Sequence, residues 1–118
     1  MKLLLTSFWT SPEQDVELIN LVGKALKDIK VAYIENAYDV YNDEASLVEV
    51  RQVLKDKGFD FELVDLRNFR NKRQELRQKL VSKDIFWFTG GNPYTLRWLM
   101  KASGADKAIS ELVGQGKV

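Results

Sequence analysis

Short apolar runs alternate along this chain with segments whose apolar residues recur at helical spacing, and that alternation constrains the fold more than any other feature. The runs are Leu3-Leu4-Leu5, Val31-Ala32-Tyr33-Ile34, Phe61-Glu62-Leu63-Val64-Asp65-Leu66 and Ile85-Phe86-Trp87-Phe88, whose content suits strands buried on both faces. After Ser11-Pro12, a capping serine before a first-turn proline, Val16, Ile19, Val22, Leu26 and Ile29 follow a helical period. From Asp43 onward Leu47, Val50, Val53 and Leu54 do the same, with Gly58 where a C-cap glycine belongs, and Leu76 and Leu80 mark a shorter helix. Crossovers of that length return the chain to the same edge of a sheet, so the expected class is α/β with a parallel sheet of about four strands and helices on both faces. Ligands of such folds bind beyond the carboxyl ends of the strands. That rule directs attention to residues 6–12, 35–43, 66–72 and 89–93.

Length and composition then narrow the function. The 118 residues, 45% hydrophobic, are enough for one domain over residues 1–118 and too few for two. Eighteen basic residues against seventeen acidic ones leave a net charge of +1, so no global field recruits nucleic acid or an anionic membrane. Without cysteine there is no disulfide or thiolate, and without histidine the commonest general base and metal ligand is missing. No metal or cofactor is implied. The opening apolar run ends at Thr6-Ser7, shorter than a signal peptide's core of about 7 residues or more. No stretch approaches the roughly 18 apolar residues of a membrane span, and a cytoplasmic protein is expected.

The loop after the last run is the most informative. Phe88-Thr89-Gly90-Gly91-Asn92-Pro93-Tyr94 leaves a strand, turns on paired glycines and enters a helix carrying Leu96, Leu99 and Met100. Paired glycines permit positive φ and a close backbone approach to a bound group, while Asn92 can cap the helix and Pro93 presets its first turn. Backbone amides beside the positive end of a helix dipole suit an anion or a carbonyl oxygen gaining charge. The plain alternative is a tight turn with a cap, since the pattern is neither a phosphate loop nor a dinucleotide fingerprint. Residues 35–43, with Glu35, Asn36, Tyr38, Asp39, Tyr41 and Asp43, either touch a substrate's ammonium group or form a solvated capping loop, and their spacing matches no calcium loop. The basic run Arg67 to Lys79 has one aromatic residue, Phe69, and core-spaced leucines, which favours a solvated helix face over a nucleic-acid patch.

The order of these segments resembles the dipeptidase E family of serine peptidases, relatives of cyanophycinase. The resemblance rests on Lys2-Leu3-Leu4-Leu5-Thr6-Ser7, Lys30-Val31-Ala32-Tyr33-Ile34, Lys57-Gly58-Phe59 with Val64-Asp65-Leu66, Phe88-Thr89-Gly90-Gly91-Asn92, Gly104-Ala105-Asp106-Lys107-Ala108-Ile109 and Gly116-Lys117-Val118. It implies a three-layer α/β/α sandwich like that of class I glutamine amidotransferases, which is flavodoxin-like, and cleavage of small peptides, typically dipeptides beginning with aspartate. It also implies a strand beginning near Lys117-Val118, then an elbow of the form G-x-S-A-G carrying the nucleophilic serine, and later a histidine and an acidic partner. None of these catalytic residues is in the sequence. The expectation is therefore the N-terminal portion of a larger peptidase domain, inactive alone and prone to self-association through an exposed sheet edge.

Carried over residue by residue, the resemblance transfers the Gly90 and Gly91 backbone as the oxyanion-hole side and Asn92 as a pocket residue. Ser7, Trp9 and Asn36 join them as candidate substrate contacts through their place in the loops. Ser7 is read as a strand-ending residue rather than a nucleophile, because a hydroxyl needs an aligned base and an oxyanion donor together. Two other readings stay open: a non-catalytic α/β binding or assembly module, and a flavodoxin-like regulatory domain. The last is disfavoured by the absence of an acidic pair after the first run.

Overall fold

The computed structural model describes residues 1–7 and 9–118. Its centre is β1 (Lys30–Ile34), flanked by β2 (Asp60–Leu63) and β3 (Ile85–Phe88) in the order β2-β1-β3. Both pairings are parallel, Lys30 opposite Asp60 on one side and Val31 opposite Ile85 on the other. α1 (Pro12–Val22) precedes β1, α2 (Glu44–Asp56) and α3 (Arg73–Val81) run between the strands, and α4 (Pro93–Ser103) and α5 (Ala105–Gly114) follow β3.

The two-residue period of β1 divides the core. Ala32 and Ile34 pack with Leu76, Leu80, Leu99, Ile109 and Leu112, which come from α3, α4 and α5. Val31 and Tyr33 face the opposite way, against Leu18 of α1 and Leu54 of α2. The result is the expected α/β/α arrangement. The central strand, and β3 at Ile85 and Phe86, have the buried-on-both-faces character that the apolar runs suggest. β2, with a neighbour on one side alone, leaves Leu63 exposed, and its strand stops there: Val64 is buried beyond it and Asp65 caps a 3-10 turn over Leu66–Phe69.

Local chemistry sets the helix ends. In α1 the Ser11 hydroxyl accepts from Gln14 N and the Gln14 side chain accepts from Ser11 N, a reciprocal cap with Pro12 at the first position. Gly23 ends the helix in the left-handed region, so Leu26 belongs to a 3-10 turn (Leu26–Asp28) and Ile29 lies beyond it. Asp43 caps α2 through Ser46 N.

The expected first strand is not in the sheet. Leu3 and Leu5 are exposed, and the segment runs beside the free edge of β3 without pairing to it. A groove of about 240 Å³ lies there, lined by Leu3, Leu4, Leu5, Leu18 and β3. Val118 is the residue that does meet this edge: its N–H donates to Asp84 O (3.0 Å) and its carbonyl accepts from Phe86 N (2.9 Å), which sets it level with Ile85. Residues 3–5 make no ladder with β3 among the described residues. No helix among the described residues is long and apolar enough to cross a membrane.

Candidate functional site

The turn from β3 into α4 is pinned at two points. Thr89 N donates to Ile34 O at the end of β1, and Asn92 N donates to Ala37 O in the 3-10 turn Asn36–Tyr38. Between these anchors the amides of Gly90 and Gly91 have no acceptor among the described residues. Gly91 has φ 135°, and a Cβ there would stand 2.5 Å from Ala37 O, so the close crossing over Ala37 requires glycine. Gly90 has open space around it. Asn92 caps α4, its Oδ1 accepting from Tyr94 N (3.0 Å) and Thr95 N (3.1 Å).

The paired glycines form one wall of a pocket of about 470 Å³. Opposite them stand Ser46, Leu47, Glu49 and Val50 of α2, and Thr6, Trp9, Tyr38, Trp87 and Phe88 complete it. Loops 6–12, 35–43 and 89–93 meet here, whereas Arg67 of the fourth loop lines a neighbouring pocket. Of the residues singled out from sequence, the structure brings Gly90, Gly91 and Trp9 together. Ser7 is exposed and outside the pocket wall, and Asn92 spends its side-chain oxygen on the cap.

Asn36 sits behind the pocket and is fully engaged. Its Nδ2 donates to Asp39 and Asp65 and its Oδ1 accepts from Leu66 N. It belongs to the adjoining pocket of about 230 Å³, where Glu35, Asp39 and Asp65 face Arg51 and Arg67. Arg51 bonds Glu35 and Glu44, and the Glu35 hydrogen bond raises its already high pKa. Burial opposes ionisation of Asp65, but hydrogen bonds from Arg67 and Asn36 outweigh it and hold the carboxyl below its usual range. Every charge there has a partner. Among the described residues no cluster of side chains could hold a metal ion.

Sequence reasoning missed the contribution of α2 and of Thr89. The Thr89 hydroxyl is buried at the pocket wall without a hydrogen-bond partner. Ser46 is the serine that lines the pocket, and its hydroxyl donates to Asp43 Oδ2 (2.6 Å). Hydrogen bonds from the Ser46 hydroxyl and amide hold the Asp43 carboxyl below its usual range, which makes it a poor base, so this contact is a helix cap and not an activated nucleophile. The spacing Ser46, Glu49, Val50 marks one face of a helix, but only the tertiary fold tells which turn that face covers.

The model of peptidase family S51 matches residues 3–118. The chain belongs to this family. Among solved structures it is similar to a protein of Listeria monocytogenes EGD-e described as a candidate peptidase E, with 28% identity and a TM-score of 0.70. The likeness covers 86% of this chain and 50% of that one, so the chain spans half the length of that protein. No curated protein matches.

Proposed function

We propose that this S51 chain supplies the oxyanion-hole side and part of the peptide pocket of a serine-type exopeptidase acting in the cytoplasm on small peptides, and that it hydrolyses none alone. The observation carrying this reading is the pair of unspent amides at Gly90 and Gly91, fixed between two backbone anchors at the mouth of a pocket of peptide size. The register of Val118 supports it. A strand running on from Val118 parallel to β3 would bring its fifth further residue level with Gly90, five residues after Ile85, where an attacking hydroxyl has its oxyanion donors at hand.

The test is hydrolysis of a panel of dipeptides, with aspartyl ones, the substrates implied by the resemblance, beside leucyl ones. The purified chain is expected to release amino acids no faster than buffer. Co-expression with a downstream S51 segment carrying a G-x-S-x-G elbow and histidine is expected to restore cleavage. Hydrolysis by the chain alone, or a folded complex that stays inactive, overturns the proposal. The leucine-lined groove along β3 favours a second reading, an assembly module that pairs through this edge. Sedimentation at rising concentration is expected to show dimers, and a monomer throughout argues against it.

A further inference from the structure

We infer that the wall of the pocket on this chain selects peptides with a free α-ammonium group and an apolar or aromatic first side chain, and offers no anchor to an aspartyl side chain. The inference rests on the reading of the pocket as a peptide site and concerns which peptide it takes.

Charge is the first argument. The pocket has a single ionisable carboxylate, Glu49, and no lysine or arginine on its wall. Of the cations on α2 and just beyond it, Arg51 is committed to Glu35 and Glu44 and Lys57 to Asp15 and the carbonyl of Thr10, while Lys55 is not on the pocket wall. An entering side-chain carboxylate would lose water, gain no counter-charge and face Glu49. An entering ammonium finds Glu49 unpaired by any cation among the described residues, with the aromatic rings of Trp9, Tyr38 and Trp87 around it.

Shape and hydrogen bonding agree. Leu47, Val50, Trp87 and Phe88 give an apolar floor to a side chain. The Gly90 and Gly91 amides are free, so a peptide carbonyl laid against the turn meets two donors that the scaffold does not use. With the carbonyl there and the ammonium at Glu49, the first side chain is left on the apolar floor.

The experiment is tryptophan fluorescence of the purified chain, carrying Trp98→Phe to silence the exposed tryptophan outside the pocket, titrated with Leu-Leu, N-acetyl-Leu-Leu and Asp-Leu. Leu-Leu is expected to bind about fivefold more tightly than its N-acetyl form or Asp-Leu, the size of a partly exposed ion pair. Glu49→Gln is expected to abolish the preference for Leu-Leu over its N-acetyl form while leaving N-acetyl-Leu-Leu unchanged; Glu49 is solvent-exposed, so folding tolerates the change. Tighter binding of Asp-Leu, a preference over the N-acetyl form that survives Glu49→Gln, or binding of none of the three overturns the inference. Hydrolysis is not read, so an unexpected activity of the chain alone would sink the proposed function and leave this ranking standing.

Discussion

Two pockets share the carboxyl edge of the sheet, separated by the 3-10 turn Asn36–Tyr38, and they differ in what they leave unspent. The one around Asp65 and Arg67 is dense in charge, yet its carboxylates, guanidinium groups and the Asn36 amide are bonded to one another. The one around Gly90 and Gly91 has little charge, and it holds two free amides and an unpartnered hydroxyl. A network that satisfies itself stabilises the fold and has little left for a ligand. Unused donors held in place by a rigid frame cost the fold something and gain a partner only on binding. Charge density is therefore the poorer guide to the site in this molecule.

The largest effect should come from the frame of the charge-poor pocket. Gly91→Ala places a Cβ 2.5 Å from Ala37 O at a φ of 135°, so strain and backbone collision together are expected to cost about 3 kcal/mol or more. Gly90→Ala, with nothing within 4 Å of the new Cβ, is expected to change stability by less than about 0.5 kcal/mol. Urea unfolding of the two variants checks the pair. Equal costs would show that the crossing over Ala37 does not fix this turn.

That asymmetry between neighbouring glycines also marks how far the sequence could be read. Paired glycines after an apolar run announced a turn, and Ser11-Pro12 announced a helix start, because both are local chemistry. Which glycine is indispensable depends on Ala37, brought over by a different crossover, and no local pattern encodes it. Residues 3–5 misled for the same reason: three leucines suit a strand, but a strand needs a neighbour, and among the described residues the edge of β3 away from β1 bonds Val118 and not residues 3–5. Thr89 and Glu49 gained meaning only when the fold set α2 over the turn.

The charge-rich pocket should show a middling effect, and one that depends on acid. Asn36→Ala leaves the Leu66 N–H and one side of Asp39 and Asp65 unbonded in a buried place, at a cost of about 2 kcal/mol. Asp65 and Asp84 have folded pKa values below the ordinary one; for Asp84, burial opposes ionisation and hydrogen bonds from Lys24 and Lys30 N outweigh it. Their stabilisation is thus complete above about pH 4, where the unfolded carboxylates are ionised, and is lost as pH falls through the lower folded values. Asp65→Asn should flatten that acid limb in melting curves recorded from pH 5 downward. An unchanged limb would mean that the network around Asp65 contributes little.

The smallest effects separate the two buried hydroxyls that have no partner, Tyr33 Oη and Thr89 Oγ1. Tyr33 is wholly buried in the core against Phe61; burial first, and the neighbouring Glu35 carboxylate second, raise its pKa. Tyr33→Phe removes a desolvated hydroxyl and keeps the ring, so stability should stay level or rise by up to about 1 kcal/mol, with peptide binding untouched. Thr89→Val replaces an equally unbonded hydroxyl by a methyl group, and stability should again move by less than about 1 kcal/mol. Thr89 lines the pocket but its hydroxyl oxygen is closed to solvent, so Leu-Leu affinity is expected to change by less than about twofold. If Thr89→Val costs more stability than this, the hydroxyl serves the scaffold after all, and the contrast between a spent pocket and an unspent one then rests on the Gly90 and Gly91 amides alone.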